Sequence, residues 1–131
     1  MNYEAYTQKT LTSLGLPTVL RGCQYINMGI EYLLNLDKHT IPNANMIYSF
    51  IANQLFLETS SVENSIRNAI HIIWKNQSNQ SLMTTIFGPY NLKKRPCNME
   101  FLMLLYNYVY FHFENTDNIQ KLEKLWLNTQ Y

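Results

Sequence analysis

Residues 58–74 read ETSSVENSIRNAIHIIW. Val62, Ile66, Ala69, Ile70, Ile73 and Trp74 recur at helical spacing and form one apolar stripe. Glu63, Asn64, Arg67, Asn68, His71 and Lys75 take the opposite face. Their donors and acceptors are those that base edges and phosphates use. A shorter amphipathic stretch lies just upstream, with Ile47, Phe50, Ile51 and Leu55 on one side. Two consecutive helices, the second with a hydrogen-bonding outer face, predict a helix-turn-helix within a compact all-α domain of several helices.

Working outward, the pattern stays helical. A first helix is expected over residues 2–14, stopped by Gly15-Leu16-Pro17, and a second over 18–36. Gly22 and Gly29 lie seven apart in that second helix and predict close packing at two crossings. After a loop at 37–42, Asn43 or Asn45 caps the third helix. Ser60 opens the fourth, with Glu63 completing a Ser-x-x-Glu capping box. The fifth runs over about 79–87 and ends at Gly88-Pro89. Asn98 caps the sixth, and the capping-box pattern Asp117-x-x-Gln120 starts a seventh. The expected division is a domain over 1–116 and an additional C-terminal helix over 117–131.

Composition narrows the function. With 131 residues, 47% of them hydrophobic, the chain has enough material for a single well-packed core. The most apolar run, residues 99–113, is interrupted by Asn107 and His112 and reads as a buried helix, so no membrane association is expected. The first ten residues lack an apolar signal core, which predicts a cytoplasmic location. Cys23 and Cys97 are too few for a disulfide framework, and His39, His71 and His112 are far apart. No metal site, no cofactor and no enzymatic activity are expected. Net charge is only +1, yet from residue 60 to 96 the cations Arg67, Lys75, Lys93, Lys94 and Arg95 face a single acid, Glu63.

Short pieces along the chain fall in one order: Leu14-Gly15-Leu16-Pro17, Leu20-Arg21-Gly22, Tyr25, Ile51-Ala52, Ser60, Val62-Glu63, Ile66-Arg67, Ala69-Ile70, Trp74, Phe87-Gly88, Lys93, Pro96, Asn98 and Glu100-Phe101. Over roughly residues 7–112 this set resembles the C-terminal effector domain of the stage zero sporulation protein A family. The resemblance implies an all-helical domain whose helix-turn-helix binds promoter DNA. It also implies that the loop holding Lys93 and Pro96 approaches the DNA backbone. Departures from the family pattern are Asn53, Gln54, Ser61, Asn64 and Asn68, where cations or histidine usually stand, and an apolar turn at Phe56-Leu57. The family's regulator is switched through a receiver module, and this chain is expected to be a free-standing effector domain without one.

The expected function is sequence-specific regulation of sporulation or stationary-phase genes, with helix 60–76 in the major groove of double-stranded DNA. Glu63, Asn64, Arg67, Asn68 and His71 are the expected base readers, while Ser60, Ser61, Lys75, Lys93, Lys94 and Arg95 meet the backbone. Plainer roles compete: capping for Glu63, an ion pair with Glu63 for Arg67, and a solvated charge run for 93–95. The alternative function is a degenerate effector domain that acts as a protein-interaction module or antagonises a related regulator. A helix apolar nearly all round, from Phe101 to Phe111, needs cover on a second side. That cover comes either from 117–131 folding back or from a homodimer through helices 98–114 and 117–129, the latter being the expectation.

Overall fold

The computed structural model describes the backbone of residues 2–130 and the side chains of 2–115 and 118–127. Among the described residues there are six α-helices and no strand: α1 (Tyr3–Ser13), α2 (Arg21–Leu34), α3 (Ala44–Leu55), α4 (Thr59–Asn76), α5 (Gln80–Phe87) and α6 (Asn98–Gln130). A 3-10 turn, Tyr90–Leu92, precedes α6. Asparagine starts three of the helices. The side chains of Asn2, Asn43 and Asn79 accept from the backbone N–H of Ala5, Met46 and Leu82, relieving donors that a helix start leaves unpaired. Gly15, at φ +88°, turns the chain out of α1, and Gly88, at φ +85°, ends α5.

Four boundaries differ from the sequence reading. The backbone between Pro17 and Leu20 closes a turn, so α2 begins only at Arg21. The Ser60–Glu63 capping box does not form: α4 starts at Thr59 with Glu58 in the cap position, and no side chain caps it. Asn98 lies inside α6 and is buried rather than capping it. No seventh helix separates at Asp117, because α6 continues through it to Gln130. Residues 98–130 contain neither Gly nor Pro, and extending a formed helix avoids the cost of a new nucleus. The local capping signal is overridden.

Helix α2 lies at the centre and touches α1, α3, α4 and α6. Ile26 and Ile30 of α2, Ile47 and Ile51 of α3, Ile66 and Ile70 of α4, and Phe101 and Leu105 of α6 close the core. Burial of each such side chain contributes roughly 1.5–3 kcal/mol. The expected close crossings are present. A Cβ at Gly22 would lie 2.4 Å from the Ser65 carbonyl oxygen and 2.7 Å from the Ala69 Cβ. At Gly29 it would meet Ile47 and Leu102 at 3.3 and 3.4 Å.

Part of the second apolar side of α6 is covered by α1, while Tyr110 and Phe111 stay exposed. The Tyr3 ring lies 4.3 Å from that of Phe113, Tyr6 stacks near Tyr108, and the Tyr3 hydroxyl donates to Glu114. Burial, reinforced by a bond to Tyr108, pushes the Tyr6 hydroxyl up to about 12. Beyond it, Ile119, Leu122 and Leu125 are exposed on the last part of α6. Among the described residues no helix is long and apolar enough to cross a membrane.

Gly22→Ala tests the α2–α4 crossing. The new methyl meets backbone that cannot rotate away, so the substitution should lower unfolding free energy by about 1–3 kcal/mol in chemical denaturation. Gly29→Ala faces only side-chain methyls and should cost less.

Candidate nucleic-acid interface

The inner stripe of α4 is buried as the spacing predicts: Val62, Ile66 and Ile73 are fully enclosed, and Ala69, Ile70 and Trp74 nearly so. Asn64, Arg67, Asn68, His71 and Lys75 are all exposed on the other side, and Glu63 is half-buried at its flank. Helix α3 packs on α4 across a turn at 56–58, where the Leu57 N–H bonds back to the Ala52 carbonyl at 2.9 Å. Phe56 makes that turn with φ 56°, a left-handed conformation that costs a non-glycine residue about 1–2 kcal/mol. Its ring is 94% exposed, so no packing in this chain offsets the strain.

On the outward face the side chains are not independent. Arg67 Nη2 donates to Glu63 Oε1 at 2.7 Å, and Arg67 Nη1 donates to Asn64 Oδ1 at 2.9 Å. Glu63 therefore serves Arg67 as an i,i+4 partner instead of capping the helix. Both partners are about half exposed, so the pair contributes only a few tenths of a kcal/mol. Its effect is to aim the guanidinium. Asn68 stands apart from this set, on the flank of α4 that faces the start of α2. There Arg21 lines the same shallow hollow, a cation that periodicity could not bring to this surface.

The basic loop is docked on the same helix. Trp74 Nε1 donates to the Asn91 carbonyl, Gln77 Nε2 to the Leu92 carbonyl at 2.9 Å, and Asn91 Nδ2 to the Phe87 carbonyl at 2.7 Å. Pro96 is buried, while Lys93, Lys94 and Arg95 are exposed. Arg95 Nη1 lies 3.0 Å from His71 Nδ1. A guanidinium only donates, so His71 Nδ1 must be the accepting nitrogen and the ring proton belongs on Nε2. This contact brings a loop cation onto the outward face of α4. The cleft between helix and loop is lined by Tyr48, Glu63, Arg67, Lys94, Arg95 and Asn98. Ser60 and Ser61 stay exposed in the uncapped first turn of α4, and Lys75 in its last.

For one residue of this region the sequence reading had the wrong role, a cap in place of a tie between three helices. Asn98 Nδ2 donates to the Tyr48 hydroxyl at 3.0 Å and to the Glu63 carbonyl at 3.1 Å, tying α6, α3 and α4 at one point. Burial raises the Tyr48 hydroxyl above the usual tyrosine range, and the Asn98 bond works against that rise. Removing the amide strands buried polar atoms without offering an alternative partner. Asn98→Ala should therefore lower stability by about 1–3 kcal/mol in thermal or denaturant unfolding.

Comparison with known families agrees with this geometry. Residues 7–109 match the family model described as the C terminal of sporulation initiation factor Spo0A. No curated protein matches the chain. The matched span contains α2 to α5, the α3–α4 pair, the basic loop and the buried half of α6. The chain belongs to the family of Spo0A C-terminal domains, which are DNA-binding regulatory domains of sporulation.

Proposed function

We propose that this domain is a sequence-specific transcription regulator of sporulation or stationary-phase genes, reading the major groove of double-stranded DNA with the outward face of α4. The observation that carries the reading is the Arg95–His71 contact. It makes the basic loop and the helix face one surface, with donors for bases on the helix and cations for phosphates beside it. Arg67 is the central base reader. Asn68 and the free ring nitrogen of His71 flank it, and Ser60, Ser61, Lys75, Lys93, Lys94 and Arg95 meet the backbone. No cofactor is required, and the site of action is the nucleoid within the cytoplasm.

A symmetric dimer through α6 is the second part of the proposal. Ile119, Leu122 and Leu125 are exposed on a helix that continues past the packed core, which favours a second chain as cover. Mass in solution checks it. Full-length chain should dimerise with rising concentration and lose this on truncation at 117, whereas a chain that stays monomeric removes the dimer.

A second reading rests on Phe56. A strained, 94% exposed aromatic in the turn suits a protein partner, such as a related regulator, better than a phosphate backbone. Selection of bound duplexes from a random DNA pool separates the two. An enriched motif supports DNA reading, and its absence supports the interaction module.

Given such a motif, Arg67→Ala should weaken specific binding by roughly 1–3 kcal/mol and leave the fold intact. Neutralising Lys93, Lys94 and Arg95 together should weaken binding to all sequences alike. The salt dependence should flatten by roughly one unit of slope for each phosphate no longer neutralised. An unchanged slope would reduce the loop to a solvated charge run.

A further inference from the structure

Asn64 does not have both ends of its amide free. Its partner, the Arg67 guanidinium, carries donors only, so the Asn64 atom 2.9 Å away must be the oxygen. That fixes which way the amide faces: Oδ1 is turned to Arg67, and the NH2 is left for whatever approaches the exposed helix face. Reading adenine takes both ends at once, the oxygen accepting from N6 and the nitrogen donating to N7. At Asn64 the accepting oxygen already serves Arg67, so reading adenine there means sharing or giving up the bond that aims the guanidinium. The nearer Glu63 oxygen is committed to the same guanidinium, at 2.7 Å. Among the described residues Asn68 is exposed and makes no side-chain hydrogen bond, so its amide retains both ends.

We infer that Asn64 is a positioning residue for Arg67 and not an adenine reader, and that the two side chains together present an edge of donors. This inference rests on the proposal that α4 reads DNA. The complement of such an edge is a guanine opposite Arg67, which offers N7 and O6, beside a base that offers an acceptor to the Asn64 NH2. Adenine at that neighbouring position would set its N6 amino group against an Asn64 oxygen that already serves Arg67. Any adenine preference of the domain falls to Asn68 instead.

The test is selection from a random duplex pool with the full chain and three variants. The substituted positions are exposed, so the variants fold, as circular dichroism would verify. Wild type should enrich a guanine. Asn64→Ala should weaken discrimination at that guanine by about two-fold, since Arg67 loses one of its two exposed anchors and keeps the Glu63 bond. Asn64→Asp retains an acceptor for Arg67, so overall affinity should fall with the added charge while the guanine preference survives. Asn68→Ala should remove any adenine preference and spare the guanine. An adenine preference lost in Asn64→Ala, or a guanine preference untouched by it, overturns the positioning role while DNA reading stands. If wild type enriches no motif at all, the DNA-reading proposal fails and this inference fails with it.

Discussion

The contact on which the rest of the structure depends is the crossing of α2 and α4 at Gly22. With hydrogen in place of a side chain, α2 comes within reach of the Ser65 backbone. The inner stripe of α4 can then sink fully into the core. Four enclosed aliphatic side chains, Val62, Ile66, Ile70 and Ile73, stabilise that position by several kcal/mol in sum. The outward bonds of Arg67 and Arg95 are exposed and worth a few tenths each. That imbalance matters for function. The helix is placed by forces that DNA would not disturb, and its outer side chains are held by bonds weak enough to be exchanged.

The same imbalance bears on how a near-neutral protein could carry the proposed DNA-facing surface. Net charge is +1, yet the loop cations are gathered against α4 by backbone bonds from Trp74 and Gln77 rather than spread over the molecule. A side chain already aimed loses less freedom on binding than one that must be ordered, which offsets part of the affinity forfeited with the missing cations. Arg67 and Arg95 are both aimed in this way, each by a neighbour on α4.

Much of this was legible in the sequence because it depends on short spacing. The stripe of α4, the cap at Asn43, and the crossings at Gly22 and Gly29 all follow from what a residue's near neighbours are. The failures share a different cause. Ser60-x-x-Glu63 and Asp117-x-x-Gln120 carry capping chemistry, but a capping box works only where a helix begins, and tertiary packing sets that point. Asn98 before an apolar run looks the same whether it caps the helix or is buried beneath Tyr48 and the Glu63 carbonyl. The cover of α6 by Tyr3 and Tyr6 joins opposite ends of the chain, which no periodicity reports. The pairing of Arg95 with His71 is equally remote, so the candidate site was legible as a set of residues but not as one surface.

The continuation of α6 turns on helix physics. A separate helix of the length of residues 117–130 would be marginal in water, since it must form its own nucleus. Joined to a packed helix it needs none, and the exposed Ile119, Leu122 and Leu125 can stand in solvent on a formed scaffold. Fold-back onto the domain would break that continuity for contacts that α1 already makes with α6. In the proposed dimer a symmetric partner would cover these side chains and set two α4 faces in a fixed relation. For a reader short of cations, that geometry multiplies affinity by making engagement of the second half-site intramolecular. In that proposal the low net charge and the length of α6 become parts of one solution.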